Sequence, residues 1–273
     1  MLNLLRVDRF KLIKNKVFWV LVSIIVAIAF ISVFLFFLEE KGLIESIEGE
    51  NFAVVANEQE AEFMPSDGIV FFMEGINAPD LTITVLFISI LGAFFIATEN
   101  SIGTIKNTVS IGYSRQQIYI SKIALFSFGA ILLNLFMSVA FGVFGSIFFG
   151  IGELPAIGEI ASLGKVALLS SLYIISFAAI VMLFSMLVKG SGLAILISFV
   201  FFLLFGLGLA NFGQKYVLFQ EINHYSVYYR FMTLAGSDLS NAKVLLELTA
   251  VPVVTSIVFI GLGIIVFQKK DIQ

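Results

Sequence analysis

The chain holds few of the residue types that do chemistry, and their spacing is wrong for the reactions they could support. A zinc-protease helix needs two histidines four apart around a glutamate, and His224 is the only histidine. With no cysteine, thiolate metal sites, disulfides and thiol nucleophiles are excluded. A phosphate-binding loop needs a glycine, four residues, then Gly-Lys-Ser/Thr, so that backbone amides wrap the phosphates. The only Gly-Lys pair, Gly164-Lys165, is followed by Val166, and Glu159 stands where the first glycine belongs. No catalytic set, metal site or cofactor site is therefore expected in this chain. If its work is energised, the energy comes from another chain.

The elements that carry these residues are apolar. Of 273 residues, 59% are hydrophobic and 13% charged, with a mean hydropathy of +1.05. A soluble domain has roughly a quarter charged residues, so this chain could not cover a water-facing surface. Six stretches approach the ~20 helical residues that cross a hydrocarbon layer of ~30 Å. They are Val17–Leu38, Leu81–Ala97, Ile123–Phe149, Val166–Val188, Gly192–Ala210 and Leu248–Phe267. Runs such as Phe201-Phe202-Leu203-Leu204 do not alternate as barrel strands do. The expected fold is one all-α integral membrane domain over residues 1–273, with six transmembrane helices. Pro252 is placed in the first turn of the last span or at a kink.

Proton and ion relays usually put Asp, Glu, Lys, Arg or His inside the spans, and these spans have none. Their polar groups are mild: Asn134, Ser138, Ser170, Ser171, Tyr173 and Ser176. Such groups suit bonds across helices, and Gly142, Gly145, Gly206, Gly208, Gly261 and Gly263 would allow close helix approach.

Charge sorting gives an orientation. The first sixteen residues, the segment after the second span, Lys189 and the tail after the sixth span hold eleven basic and three acidic residues. The other side holds five basic and sixteen acidic residues. Lys and Arg accumulate in cytoplasmic loops, which places both termini in the cytoplasm. Residues 39–80 form an acidic outer loop with eleven acids and one lysine, a solvated segment or a lure for cations. Tyrosines around His224 in the 211–247 outer loop suit the membrane–water interface, and His224 itself reads as structural.

Residues 98–122 carry the densest pattern. Ile102, Ile105 and Val109 form one apolar stripe of a short helix. Gly112 suits its left-handed cap, and Ser114 with Gln117 forms a capping box that opens the third span. In sequence, Glu99-x3-Gly103-Thr104, Ser110-x-Gly112-x-Ser114-Arg115 and Ser121-Lys122 resemble the cytoplasmic connection between spans 2 and 3 of ABC-2-type transporter permeases. The opening, with Arg9-Phe10-Lys11-Leu12 and Lys16-Val17-Phe18-Trp19, is similar to the small bacterial permeases of the lantibiotic-immunity and bacitracin-efflux types.

The resemblance implies a coupling segment at 98–118, with a coupling helix at about 101–111 that docks into a separate ATPase. Glu99, Gly103, Thr104, Lys106, Asn107 and Arg115 then stand at interface or hinge positions, and Glu99 could pair with a nearby Lys or Arg. It also implies an amphipathic interfacial helix over residues 1–16. On a helical wheel Leu2, Leu5, Phe10, Leu12, Ile13 and Val17 share its apolar arc, but Arg6, Arg9 and Lys16 fall inside that arc and must snorkel. The implied function is a permease subunit of an exporter in a bacterial cell membrane, paired with a second permease and two ATPase copies. Its cargo would be amphipathic or hydrophobic, such as an antimicrobial peptide, toxin or drug. An ATP-independent carrier or channel is the competing reading.

Overall fold

The computed structural model describes residues 2–43, 67–77, 81–97, 109–153, 157–188, 190–213, 215–234, 237, 239 and 241–269. Over these the chain is helical, with no strand among the described residues. In chain order the helices are α1 (Leu2–Lys14), α2 (Lys16–Glu40), α3 (Gly68–Asn77), α4 (Leu81–Gly92, continued by a π-helical turn Ala93–Ala97), α5 (Arg115–Phe149), α6 (Ile157–Leu187), α7 (Ser191–Gly213), α8 (Val217–His224), α9 (Val227–Met232) and α10 (Ala242–Lys269). Four of them, α2, α5, α6 and α10, are long and apolar enough to cross a membrane, and residues 81–96 and 191–206 form shorter apolar helices.

Local chemistry sets the ends of these helices. Asn15 breaks α1 from α2, and its side chain accepts a hydrogen bond from the Val17 amide at 2.9 Å. At the far end of α2, Gly42 takes φ +64°; its N–H donates to Glu39 O and that of Leu43 to Leu38 O. This pair of reversed bonds satisfies carbonyls that the helix leaves open. The expected capping box is present in both directions: Gln117 N–H donates to Ser114 Oγ, and Ser114 N–H to Gln117 Oε1. Gly112 sits at φ +99°, as its reading as a left-handed cap required. Pro252 lies well inside α10, because the helix begins at Ala242, two turns earlier than the apolar run suggested.

The acidic 39–80 segment contains a helix that composition concealed. Asp67 caps α3 through the Val70 amide at 3.0 Å, and the Gly68 and Ile69 amides bond to the carbonyls of Gly150 and Ile151 just past α5. Residues on α3 then lie in close contact with α5. A side chain at Gly142 or Gly145 would collide with Phe72 or Phe71, and one at Gly68 or Gly75 with Ser146 or Ser138. Gly206 makes room for Tyr228 and Gly263 for Tyr119, whereas Gly208 and Gly261 face open space.

The core centres on α6, which packs against α3, α4, α5, α7, α9 and α10. Tyr173 and Phe177 of α6 are fully buried and meet Phe231 of α9 at ring distances of 5.7 and 5.4 Å, with Phe202 of α7 closing the cluster. The helices α2 and α10 are peripheral, with most of their apolar surface facing outward. The mild polar groups mostly bond within their own helices: Ser138, Ser171 and Ser176 donate to carbonyls three or four residues back. Ser170 reaches across, to Ile76 O of α3 at 3.5 Å.

Candidate functional site

The start of α5 brings together α1, the π-helical turn after α4, and α10. Val109 and Ser110 are helical, Gly112 turns the chain, and Ser114 caps α5. From there the first turns of α5 are fastened to α10 and then to α1. Arg115 donates through Nη1 to Gln268 O at 2.8 Å and to Phe267 O at 3.4 Å, at the C-terminal end of α10. A guanidinium there meets unsatisfied carbonyls and the negative end of the helix dipole. Tyr119, with no exposed surface, lies against Phe267 at a ring distance of 6.1 Å and fills the notch left by Gly263.

One turn further on, Ser121 and Lys122 reach α1. Ser121 Oγ donates to Asp8 Oδ2 at 3.0 Å, and Lys122 Nζ stands 3.7 Å from Asp8 Oδ1. Both charged side chains are buried, at 6% and 7% exposure, so each charge depends on the other for its stability. The same ammonium lies 5.8 Å from the centroid of Phe95, a residue of the π-helical turn that ends α4. Single π-turns are rare and frequently occur at functional positions. Here the turn leads directly into the 98–108 segment, so the start of α5 touches the chain on both sides of that segment.

Of the six residues expected at a coupling interface, Arg115 is brought into this junction. Glu99, Gly103, Thr104, Lys106 and Asn107 lie outside the described residues, as does most of the expected helix at 101–111. Sequence reasoning did not pick out Asp8 or Tyr119; it named Gly263 for close helix approach and Lys122 only within the Ser121-Lys122 pattern. The signal for the first was available: Asp8 is the one acid among the first 38 residues.

The wheel drawn for α1 is corrected by the same contact. Leu4, Asp8 and Leu12 form the stripe packed on α5, with Leu12 against Gly129. Phe10 and Ile13, placed by the wheel on the same apolar arc as Leu12, are exposed at 62% and 54%. Burial of the Asp8–Lys122 pair rotates the helix so that a carboxylate, and not Phe10, faces inward.

A second polar cluster lies at the other end of the bundle. Arg230 of α9 is buried and donates through Nη2 to Glu247 Oε2 of α10 at 2.6 Å. The same nitrogen lies 2.7 Å from His224 Nε2, so that ring nitrogen accepts, and Tyr225 stacks 5.9 Å from the guanidinium. His224 thus joins α8 to α9. Between α2, α4 and α5 a cavity of about 10 Å³ is lined by Ile25, Thr84, Phe87, Ile88, Ala130, Leu133, Asn134 and Met137. That is room for about one water, and Thr84 Oγ1 and Asn134 Oδ1 have no partner among the described residues. No group of three or more His, Cys, Asp or Glu that could hold a metal occurs among the described residues.

A family model described as "Protein of unknown function (DUF2705)" matches residues 51–273, which takes in every helix from α3 onward. No curated protein and no solved structure matches the chain.

Proposed function

The chain belongs to the DUF2705 family, whose description assigns no activity, and from its own residues we propose that it is the permease subunit of an ATP-binding-cassette exporter. The observation that carries this reading is the 99–122 pattern: the permease-like residues run into a capped helix start that is fastened to α1, to the π-turn of α4 and to α10. A push on the segment between α4 and α5 would be felt by three helices at once, which is what coupling to an external motor requires. Two further facts support it. The chain has no phosphate-binding loop, and its apolar spans carry no ionisable relay that would let an ion gradient do the work.

In this reading residues 81–97 and 192–210 complete six spans, both termini are cytoplasmic, and the protein resides in a bacterial cell membrane. The chain is itself no enzyme. Six spans form half a pathway, so a second permease, identical or related, faces it, and two ATPase subunits bind ATP and Mg and drive the switch. The cargo is amphipathic or hydrophobic, such as an antimicrobial peptide, toxin or drug. The test is to express the chain with the ATPase encoded beside it, purify through the permease and measure nucleotide hydrolysis and cargo export in vesicles. Co-purification and ATP-dependent export are expected, both lost when residues 101–111 are scrambled with insertion preserved. Ion-driven or uncoupled flux by the purified chain alone would overturn the proposal in favour of a carrier or channel.

A further inference from the structure

Hydroxyls inside these helices commonly return a hydrogen bond to their own backbone. Ser138, Ser171, Ser176, Thr249 and Thr255 donate to carbonyls three or four residues back. Thr84 of α4 does not. Its Oγ1 is buried with no partner among the described residues, and the Oδ1 of Asn134 on α5 is in the same condition. Both residues line one cavity, which Ile25 of α2 and Met137 of α5 also line. Asn134 lies eleven residues past Ile123, where the apolar run of α5 begins. At ~1.5 Å per residue that is about 17 Å, near the middle of a hydrocarbon layer of ~30 Å. Neither bulk water nor headgroups reach this depth, so a partner for either group must be held inside the protein.

We propose that this cavity is a binding site for one resident water, which accepts a hydrogen bond from Thr84 Oγ1, donates one to Asn134 Oδ1, and so staples α4 to α5 within the membrane. The size fits, since about 10 Å³ is the room that one water requires. The polarity fits as well. Cavities that stay dry are apolar, whereas this one presents a hydroxyl and an amide oxygen whose burial without a partner is unfavourable. An ion would find no opposite charge in the lining, and a larger molecule would find no room. The position gives the water a role, because α4 and α5 are the helices on either side of the 98–108 segment. A bridging water is nearly as favourable as a direct bond, but it reorients as its partners shift. Small sliding of α4 against α5 then leaves neither group unpaired. This inference does not depend on the exporter reading. A carrier built from the same helices would hold the same water.

Met137 reports the water directly, because it lines the same cavity and is buried, at 6% exposure. The full chain is placed in phosphatidylcholine nanodiscs and given a short X-ray pulse, which converts bound water to hydroxyl radical. Methionine oxidation is then read residue by residue by mass spectrometry. Met182 of α6, with 0% exposure, is the control for a buried thioether. Oxidation of Met137 well above that of Met182 is expected in the native chain. It should fall to the Met182 level when Thr84→Val is combined with Asn134→Leu, which removes both polar partners and keeps the lining filled. Asn134→Leu alone serves if the double variant fails to insert. Met137 as unreactive as Met182 in the native chain would mean a dry cavity and end the proposal, as would oxidation that persists in the variants.

Discussion

At the scale of single residues, removing one member of the Asp8–Lys122 pair differs from removing both. Lys122→Met leaves the buried Asp8 carboxylate with the Ser121 hydroxyl but without its facing ammonium, a change that costs about 3 kcal/mol in comparable pairs. The double variant Asp8→Asn with Lys122→Met removes both charges and is expected within about 1 kcal/mol of the native chain. Denaturant unfolding in detergent measures both. A double variant as unstable as the single one would show that the two charges do not act as a pair. Some of this chemistry was legible in the sequence. Ser114, Gln117 and Gly112 could be read because capping acts over three or four residues. Asp8 and Lys122 could not, since their partnership spans 114 residues and no local rule links positions so far apart.

At the scale of elements, α5 is the organising rod. Its 35 residues rise to about 52 Å at 1.5 Å each, well beyond a hydrocarbon thickness of ~30 Å. A rigid extension past the apolar layer therefore carries the contacts to α1 and α10. Gly263→Val tests the second of these. The added carbons would meet the Tyr119 ring, and overpacking of this kind costs about 1–3 kcal/mol. Combining it with Tyr119→Ala should give back part of the loss, so thermal unfolding of the two single variants and the double should be clearly non-additive. The long apolar helices were readable in outline, because uninterrupted apolar runs have no other fate in lipid. Their ends were not. The polar turns at residues 115–122, 157–165 and 242–247 continue α5, α6 and α10 past the apolar runs. Likewise α3 was hidden in an acidic loop, since ten residues are too few for a span, although Asp67 before Gly68-Ile69-Val70-Phe71-Phe72 marked a helix start.

At the scale of the whole molecule, the arrangement is a central α6 with peripheral α2 and α10, and the described surface is rich in exposed Val, Ile, Leu and Phe. Sidedness is open to a clean test because the chain has no cysteine, so any introduced thiol is unique. Cysteines placed at Lys14 or Lys269 should resist a membrane-impermeant maleimide in intact cells and react after lysis. Those at Glu153 or Tyr216 should react in intact cells; the reverse pattern would invert the proposed orientation. The fastening of α5 to both α1 and α10 also orders events during synthesis. Asp8 leaves the ribosome 113 residues before Ser121, and Gln268 follows Arg115 by 153. At about 5–20 residues per second the first helix waits several seconds for its binding partner, with its carboxylate bare and unable to enter lipid. The junction becomes complete only when the last turn of α10 has been made.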